Sequence, residues 1–282
     1  MARESITRVW TALIGAVVVV ALLWLGSWWL AAGIAVVALV AQSELYALAQ
    51  QGGIHVHRRW GLLIGLLVVV QAVVPFAEAW LFVGVALYVA YLPFAPPDER
   101  FPAVIGITLA GALYPTALLT CVLRLRLELG GWGLDYEPFS QSHAFWLTFL
   151  VFFAVWASDT FAYYSGRTFG KHPLAPLVSP KKTWEGAIGG ATGAVVVGLV
   201  FGLFVFPRFG LDVALIHIAV VSLIGGVVSP LGDLAESRIK RAVGAKDSGS
   251  VLPGHGGVLD RFDAILVAAP LCYVYLRWTL LG

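Results

Sequence analysis

Long stretches without charged residues alternate with short polar segments along this chain of 282 residues. A helix needs about 20 mainly apolar residues to cross the hydrocarbon core of a membrane. The pattern predicts nine such helices, and the first two share the uncharged run between Arg8 and Glu44. That run is too long for one crossing, so we expect a turn at Gly26-Ser27-Trp28-Trp29, where small residues meet interfacial tryptophans. The other seven stretches are 60–77, 79–97, 101–123, 138–158, 186–207, 213–232 and 264–282.

Composition supports this prediction and excludes other classes. Hydrophobic residues make up 60% of the chain and charged residues only 12%, against about 25% charged in a soluble domain. A water-soluble, disordered or fibrous protein is therefore excluded. The fold class predicted is an all-α, polytopic membrane helix bundle, treated as one domain over 1–282. Cys121 and Cys272 lie in apolar runs with no metal-binding or redox spacing.

The distribution of positive charge predicts the orientation. Fourteen of the 18 Lys and Arg residues fall on one side of a nine-span arrangement and four on the other. By the positive-inside rule, the N-terminus is expected in the cytoplasm and the C-terminus outside. A bacterial inner membrane is the expected location. The expected cytoplasmic segments are 1–9, 44–59, 95–100, 159–185 and 233–263. Residues 1–140 would mainly span the membrane, and 141–282 would be the functional part, with the cytoplasmic segments 159–185 and 233–263.

Ionisable residues are concentrated in segment 233–263. Asp233 follows a long uncharged stretch, and Asp260 and Asp263 precede the last one. If Asp233 closes one helix and Asp260 opens the next, these carboxylates converge into a hard-oxygen site that suits Mg²⁺. Backbone N–H groups of Gly254-His255-Gly256-Gly257 could approach an anion closely. The cations expected to surround phosphates are Lys240, Arg241, Lys246 and Arg261.

Segment 159–185 shows a similar pattern with a weaker signal. Asp159 ends a span as Asp233 does, and Lys181 and Lys182 precede Thr183. Ser179-Pro180 is expected to start a helix, whose N-terminus would favour anionic ligands. Both segments also have a simpler interpretation, in which the lysines and arginines only anchor an inner loop. Together, however, the carboxylates, cations and glycines favour a functional site.

Residues Ser237 to Asp263, SRIKRAVGAKDSGSVLPGHGGVLDRFD, resemble the signature of the phosphatidate cytidylyltransferases, also called CDP-diacylglycerol synthases. Every fixed position of that pattern is filled. The earlier SPKKTWEG at 179–186 is also similar to the family. The resemblance implies the reaction of phosphatidate with CTP to give CDP-diacylglycerol and pyrophosphate. CTP, phosphatidate and membrane lipid are then the expected partners, together with a second copy in a homodimer, and nucleic acid is not.

The resemblance also implies roles for individual residues. Metal binding falls to Asp233 and Asp260, assisted by Asp263 and Asp159, with Mg²⁺ as cofactor and K⁺ as a possible second ion. Phosphates would be held by Lys181, Lys182, Lys240, Arg241, Lys246 and Arg261. The supporting substrate-binding residues are Thr183, Ser237, Asp247, His255, Gly256 and Gly257.

Two other kinds of protein stay open on the sequence alone. A transporter of nucleotide or phospholipid also places charges and glycines within membrane helices. A related lipid cytidylyltransferase or a polyprenol kinase would use similar substrates, and the kinase would transfer a γ-phosphoryl group instead of a nucleotidyl group.

Overall fold

The computed structural model describes residues 2–74, 77–129, 141–252 and 254–280, with side chains from residue 10 onward except residue 141. About 79% of the chain is helical. The helices are α1 (Ala2–Leu25), α2 (Ser27–Gln51), α3 (Arg58–Val70), α4 (Glu78–Tyr91), α5 (Phe101–Gly111), α6 (Leu118–Glu128), α7 (Gln141–Phe169), α8 (Trp184–Phe204), α9 (Leu215–Ala242) and α10 (Leu259–Leu280). A π-helical segment, Ala112–Ala117, joins α5 to α6. Short 3₁₀ turns span Leu92–Phe94 and Phe206–Phe209.

Five of the described helical segments are long and apolar enough to cross a membrane. They are Ser27–Gln51, Phe101–Glu128, Ser142–Phe169, Trp184–Phe204 and Leu215–Ala242. The chain is therefore an integral membrane protein, as its composition predicts. Each of the nine uncharged stretches contains a helix, but nine crossings stay a prediction, since α3 and α4 have only 13 and 14 residues. Parts of the predicted spans, namely 75–76, 138–140 and 281–282, lie outside the described residues.

The predicted turn after the first span is confirmed. Helix α1 ends at Leu25 and α2 begins at Ser27. Gly26 between them has φ of 60°, a left-handed conformation that glycine adopts without steric cost. The side chain of Leu22 lies against Gly33, which a continuous helix would hold far away. The chain therefore reverses direction at Gly26.

The chain divides into two compact units, and the first comprises residues 1–123 and 240–261. Its helices are joined by buried polar side chains of α2. Tyr46 packs on Gly61 of α3 and Gly111 of α5, and its hydroxyl donates to the Thr108 carbonyl at 2.6 Å. Gln42 Nε2 donates to the Gly61 carbonyl at 2.7 Å. In an apolar environment such satisfied bonds specify which helices pack together.

The second unit comprises residues 124–239 and 262–282. Here small residues bring helices into close backbone contact. Gly189 and Gly190 of α8 face Ser165 and Ser158 of α7, where a Cβ atom would collide. The glycine pair therefore allows α8 to pack closely on α7. Gly232 of α9 likewise lies against the backbone of Asp263.

A short antiparallel hairpin interrupts the helical pattern, with strands β1 (Pro173–Ala175) and β2 (Ser179–Thr183). The prediction that Ser179-Pro180 starts a helix is therefore wrong. Pairing of Thr183 with Pro173 keeps this segment extended, and α8 begins only at Trp184. Thr183 caps that helix, since its side-chain oxygen accepts from Gly186 N at 3.2 Å. Apart from this hairpin and an isolated bridge, the described residues agree with the all-α prediction.

Helix α9 extends beyond its uncharged stretch. Asp233 does not close this helix, as the sequence suggested, because α9 continues to Ala242. The first charged residues show where the apolar surface of the helix ends, but they do not end the helix itself. The helix ends just before Gly244, which adopts a φ of 72°. Asp260 lies in the first turn of α10, so the prediction that it opens the last helix is confirmed.

Candidate active site

A cavity of about 460 Å³ lies within the second unit, between α7, the hairpin, α8 and α9. The α7 residues that border this cavity are three or four positions apart, so they lie in one row along the helix. This row consists of Asp159, Ala162, Tyr163, Gly166 and Arg167. The other lining residues are Leu174, Lys181, Lys182, Thr183, Gly186, Ala187, Pro230 and Asp233. Five of the predicted site residues, Asp159, Lys181, Lys182, Thr183 and Asp233, therefore border one cavity.

An ion pair joins the hairpin to α9 at the wall of this cavity. Lys182 Nζ lies 2.6 Å from Asp233 Oδ2 and donates to the Pro230 carbonyl at 3.3 Å. Asp233 Oδ1 accepts from Ser237, one turn further along α9, at 3.1 Å. Both carboxylate oxygens of Asp233 are thus oriented, one by Lys182 and the other by Ser237. Ser237, expected to support the substrate, contacts Asp233 directly.

Pro230 shapes the same wall. Proline has no backbone N–H, so the carbonyl four residues earlier, that of Gly226, loses its usual helical donor. Ser158 of α7 supplies one, with its hydroxyl 3.1 Å from the Gly226 oxygen. The neighbouring Ser229 hydroxyl donates to Asp159 Oδ1 at 3.0 Å. Two serines therefore connect α7 to α9 beside the cavity, and Ser229 orients the Asp159 carboxylate.

Three carboxylates influence one another in this unit. Asp263 is buried, accepts from Ala264 N at 2.7 Å, and interacts electrostatically with Asp233, Asp159 and Lys182. Asp159 also interacts with Lys182 and Asp233. The three carboxylates share Lys182 as a neighbouring cation, and a bound cation would further reduce their mutual repulsion.

The suitability of Asp159, Asp233 and Asp263 for a hard cation depends on their ligand atoms and on their number. All three side chains offer only oxygen ligands, which Mg²⁺ and K⁺ prefer, and Mg²⁺ usually takes one or two carboxylates and fills its other positions with water and phosphate. Among the residues that the structure describes, no group of three or more His, Cys, Asp or Glu side chains is close enough to hold a metal by itself. The chemistry of the site therefore fits Mg²⁺ if water and a phosphate group supply its remaining ligands.

Two lining residues with polar side chains, Tyr163 and Arg167, were not predicted from the sequence. Arg167 Nη1 donates to the Tyr163 hydroxyl at 3.1 Å, and both side chains border the cavity. The available signal was their spacing, since Asp159, Tyr163 and Arg167 recur every four residues on α7. Arg167 adds a third cation beside Lys181 and Lys182.

A second carboxylate centre lies in the first unit and involves the signature segment. Asp260 Oδ1 is 2.5 Å from Lys240 Nζ. Its other oxygen accepts from Gly257 N at 2.8 Å and from Ser248 N at 3.0 Å. Asp260 thus anchors the loop between α9 and α10, and its predicted role as a metal ligand stays a prediction.

The other predicted residues of segment 233–263 lie in the loop and in the adjoining turns of α9 and α10. Gly256 has φ of 81°, and a Cβ there would come within 2.7 Å of Asp260 Oδ2, so glycine is required for the loop to close. Arg241 Nη1 donates to the Ala245 carbonyl at 2.8 Å. His255 is half-buried, and Pro253 of the signature lies outside the described residues. Among the predicted residues of this segment, the side chains of four are exposed: Arg241, Lys246, Asp247 and Arg261.

Sequence reasoning missed Glu44, which it placed at the border of a span. Glu44 is buried in α2 and accepts hydrogen bonds from Ser248, Val258 and Leu259. Its partners are more than 200 residues away along the chain, so no local pattern could indicate them.

The family of the chain follows from comparison with known proteins. The chain belongs to the cytidylyltransferase family, whose family model matches residues 6–279. The match confirms the resemblance found at 237–263 and makes the chain one of a family of nucleotidyl-transferring enzymes.

Individual relatives carry a more specific name. The phosphatidate cytidylyltransferase of Synechocystis sp. is 34% identical over 285 residues, which cover 95% of each chain. That of Haemophilus influenzae is 39% identical over 194 residues, covering 69% of this chain and 64% of its own length. That of Brucella abortus is 46% identical over 158 residues, covering 51% and 57%. The chain thus spans nearly the whole Synechocystis protein and a little under two thirds of the Haemophilus one.

Proposed function

We propose that this protein transfers a cytidylyl group from CTP to phosphatidate, giving CDP-diacylglycerol and pyrophosphate. The observation that carries the proposal is the Lys182–Asp233 pair at the wall of a cavity that also holds Asp159, Lys181 and Arg167. This combination of cations and carboxylates suits a phosphate ligand with a bound cation. The site belongs to an integral membrane protein, which gives it access to a lipid substrate, and the names of the relatives support the same reaction.

The proposed chemistry is a direct displacement. A phosphate oxygen of phosphatidate attacks the α-phosphorus of CTP, a new P–O bond forms, and the bond to the β-phosphate oxygen breaks as pyrophosphate leaves. No covalent enzyme intermediate is needed, because the lipid phosphate is already the nucleophile. The residues therefore contribute by positioning and by neutralising charge. Lys181, Lys182 and Arg167 would hold the phosphates on the cavity wall.

The cation requirement is part of the proposal. Asp233 and Asp159, with Asp263 behind them, would hold Mg²⁺, with K⁺ as a second ion and Asp260 as a further predicted ligand. When bound, Mg²⁺ would offset the charge of the nucleotide phosphates. We expect EDTA to abolish turnover and added Mg²⁺ to restore it, whereas EDTA already saturated with Mg²⁺ should have no effect. Full activity in EDTA would remove the metal from the proposal.

Topology and assembly are proposed in finer detail than the helices alone define. We propose nine crossings with a cytoplasmic N-terminus, an external C-terminus and an active site facing the cytoplasm of a bacterial inner membrane. The charge asymmetry of the loops supports this orientation. Reporter fusions at each terminus would test it. On the family resemblance we also propose a homodimer, which the mass of the purified protein in detergent would check.

One assay tests the reaction. Purified protein receives phosphatidate, Mg²⁺ and CTP labelled either at the α- or at the γ-phosphate. We expect label in the lipid only from α-labelled CTP. Label from the γ-position would indicate a lipid kinase, and movement of substrate across vesicles without a labelled lipid would indicate a transporter. Either of these results would overturn the proposed function.

A further inference from the structure

The carboxylate of Glu44 forms a buried centre outside the cavity described above. Glu44 belongs to α2 in the first unit, and only 6% of its surface is exposed. It accepts three hydrogen bonds, from Leu259 N at 2.8 Å, Val258 N at 2.9 Å and Ser248 Oγ at 3.1 Å. All three donors lie within the signature segment, 237–263. One side chain of the N-terminal half therefore holds the signature loop.

Two of these bonds lie at the start of α10. The first N–H groups of a helix have no partner within the helix, and a nearby side chain usually caps them. Here the cap comes from a residue more than 200 positions earlier. A carboxylate at this end also interacts favourably with the helix dipole. The interaction therefore depends on the charge of Glu44 as well as on its shape.

The loop is built to approach this carboxylate closely. A Cβ atom on Gly249 or on Gly257 would lie 2.6 Å from a Glu44 carboxylate oxygen, closer than such contacts allow. Gly257 is part of the GHGG sequence of the signature. Glycine at both positions therefore leaves space for the Glu44 carboxylate. For Gly257, this comes in addition to its predicted role in substrate binding.

Ser248 links Glu44 to the other carboxylate of the loop. Its hydroxyl donates to Glu44, while its backbone N–H donates to Asp260 Oδ2 at 3.0 Å. Asp260 in turn pairs with Lys240. A displacement of Glu44 would consequently shift Ser248 and, with it, the adjacent Asp247 and the Asp260–Lys240 pair.

We infer that Glu44 is a positioning residue of this enzyme, which holds the signature loop in its substrate-binding conformation through Ser248, Val258 and Leu259. The inference rests on the proposed function for its effect on CTP and on the contacts alone for its effect on the loop. Glu44 acts through the loop and is not assigned any contact with substrate.

The test compares Glu44→Gln with Glu78→Gln, since Glu78 is exposed at the start of α4. The amide group of glutamine would turn a donor toward donors, so at least one bond is lost. Loss of a hydrogen bond to a charged group changes an equilibrium constant by roughly tenfold or more. We expect KM for CTP to rise about tenfold with kcat changed less than about threefold. Glu44→Asp, which keeps the charge, should recover part of the loss, and Glu78→Gln should behave as the wild type.

A second measurement does not depend on activity. Amide hydrogen exchange of Ser248, Val258 and Leu259 reports whether the backbone N–H groups of these residues keep their hydrogen bonds. We expect faster exchange in Glu44→Gln and, to a smaller extent, in Ser248→Ala, which removes only the hydroxyl donor and should fold normally. Unchanged exchange, or an unchanged KM in a folded Glu44→Gln protein, would overturn the inference. If the wild type makes no CDP-lipid, the proposed function fails, and the exchange result alone decides the positioning role.

Discussion

Lys182 Nζ lies 2.6 Å from Asp233 Oδ2, and both side chains keep substantial exposure, 25% for the lysine and 43% for the aspartate. An ion pair that is partly exposed to solvent contributes only about 0–1 kcal/mol to stability. The pair therefore does little to hold the fold together, and its main effect is to place an ammonium group and a carboxylate at the cavity wall. Variants of either residue should consequently fold and reveal the chemistry of the site.

Replacing Asp233 with asparagine keeps the size of the side chain and removes its charge. We expect kcat/KM to fall by about 100-fold or more, because a preorganised charge at the reacting phosphates is lost. The amount of protein in the membrane and its unfolding temperature should stay close to those of the wild type. Asp212→Asn, a change at an exposed position, is the matched control. Wild-type turnover in Asp233→Asn would exclude Asp233 from the site.

The dependence of Lys182 on Asp233 can be measured with a double-mutant cycle. Lys182→Gln should raise KM for CTP, since a phosphate-binding cation is removed. In the double variant, Lys182→Gln with Asp233→Asn, kcat/KM should fall by less than the product of the two single effects, because the two residues contact each other. Lys171→Gln, at an exposed position near the hairpin, should change neither parameter. Fully multiplicative effects would show that the pair does not act as a unit.

The packing of Gly232 against α10 predicts a stability effect. A Cβ on Gly232 would collide with the backbone oxygen of Asp263, so Gly232→Ala must displace helix backbone and should cost about 1–3 kcal/mol. Thermal unfolding in detergent would measure it. Gly106→Ala, in α5, meets no atom within 4 Å and should be neutral or slightly stabilising. Equal unfolding temperatures for both variants would contradict the close packing.

The base of the hairpin depends on His172 and Glu185. Glu185 Oε1 lies 2.5 Å from His172 Nδ1, and its other oxygen accepts from His172 N at 3.2 Å. Trp184 N donates to the His172 carbonyl at 2.9 Å. Glu185→Gln should loosen the strand that carries Lys182 and raise KM for CTP about threefold, as expected for one weakened hydrogen bond. Glu99→Gln is the exposed control, and an unchanged KM in Glu185→Gln would separate the hairpin base from substrate binding.

Much of the architecture could be predicted from local patterns. The uncharged stretches locate the helices, because a helix in lipid must present an apolar surface along its whole length. Gly26 marks a turn because few other residues adopt its backbone conformation. The spacing of polar residues from Ser237 to Asp263 was specific enough to indicate the family. Helix ends were predicted less well, as Asp233 and the segment at Ser179-Pro180 show, because a charge or a proline does not decide where backbone hydrogen bonding stops.

The sequence by itself determined a membrane-spanning helical protein with a family signature, since lipid selects apolar stretches and the signature is contiguous. Only the tertiary structure decided which side chains meet. Arg167 joins Lys182 and Asp233 around one cavity because α7 packs against α8 through glycines, and Glu44 caps α10 from the opposite end of the chain. Such contacts depend on helices that pack together after long separations in sequence, and no local pattern of residues specifies them.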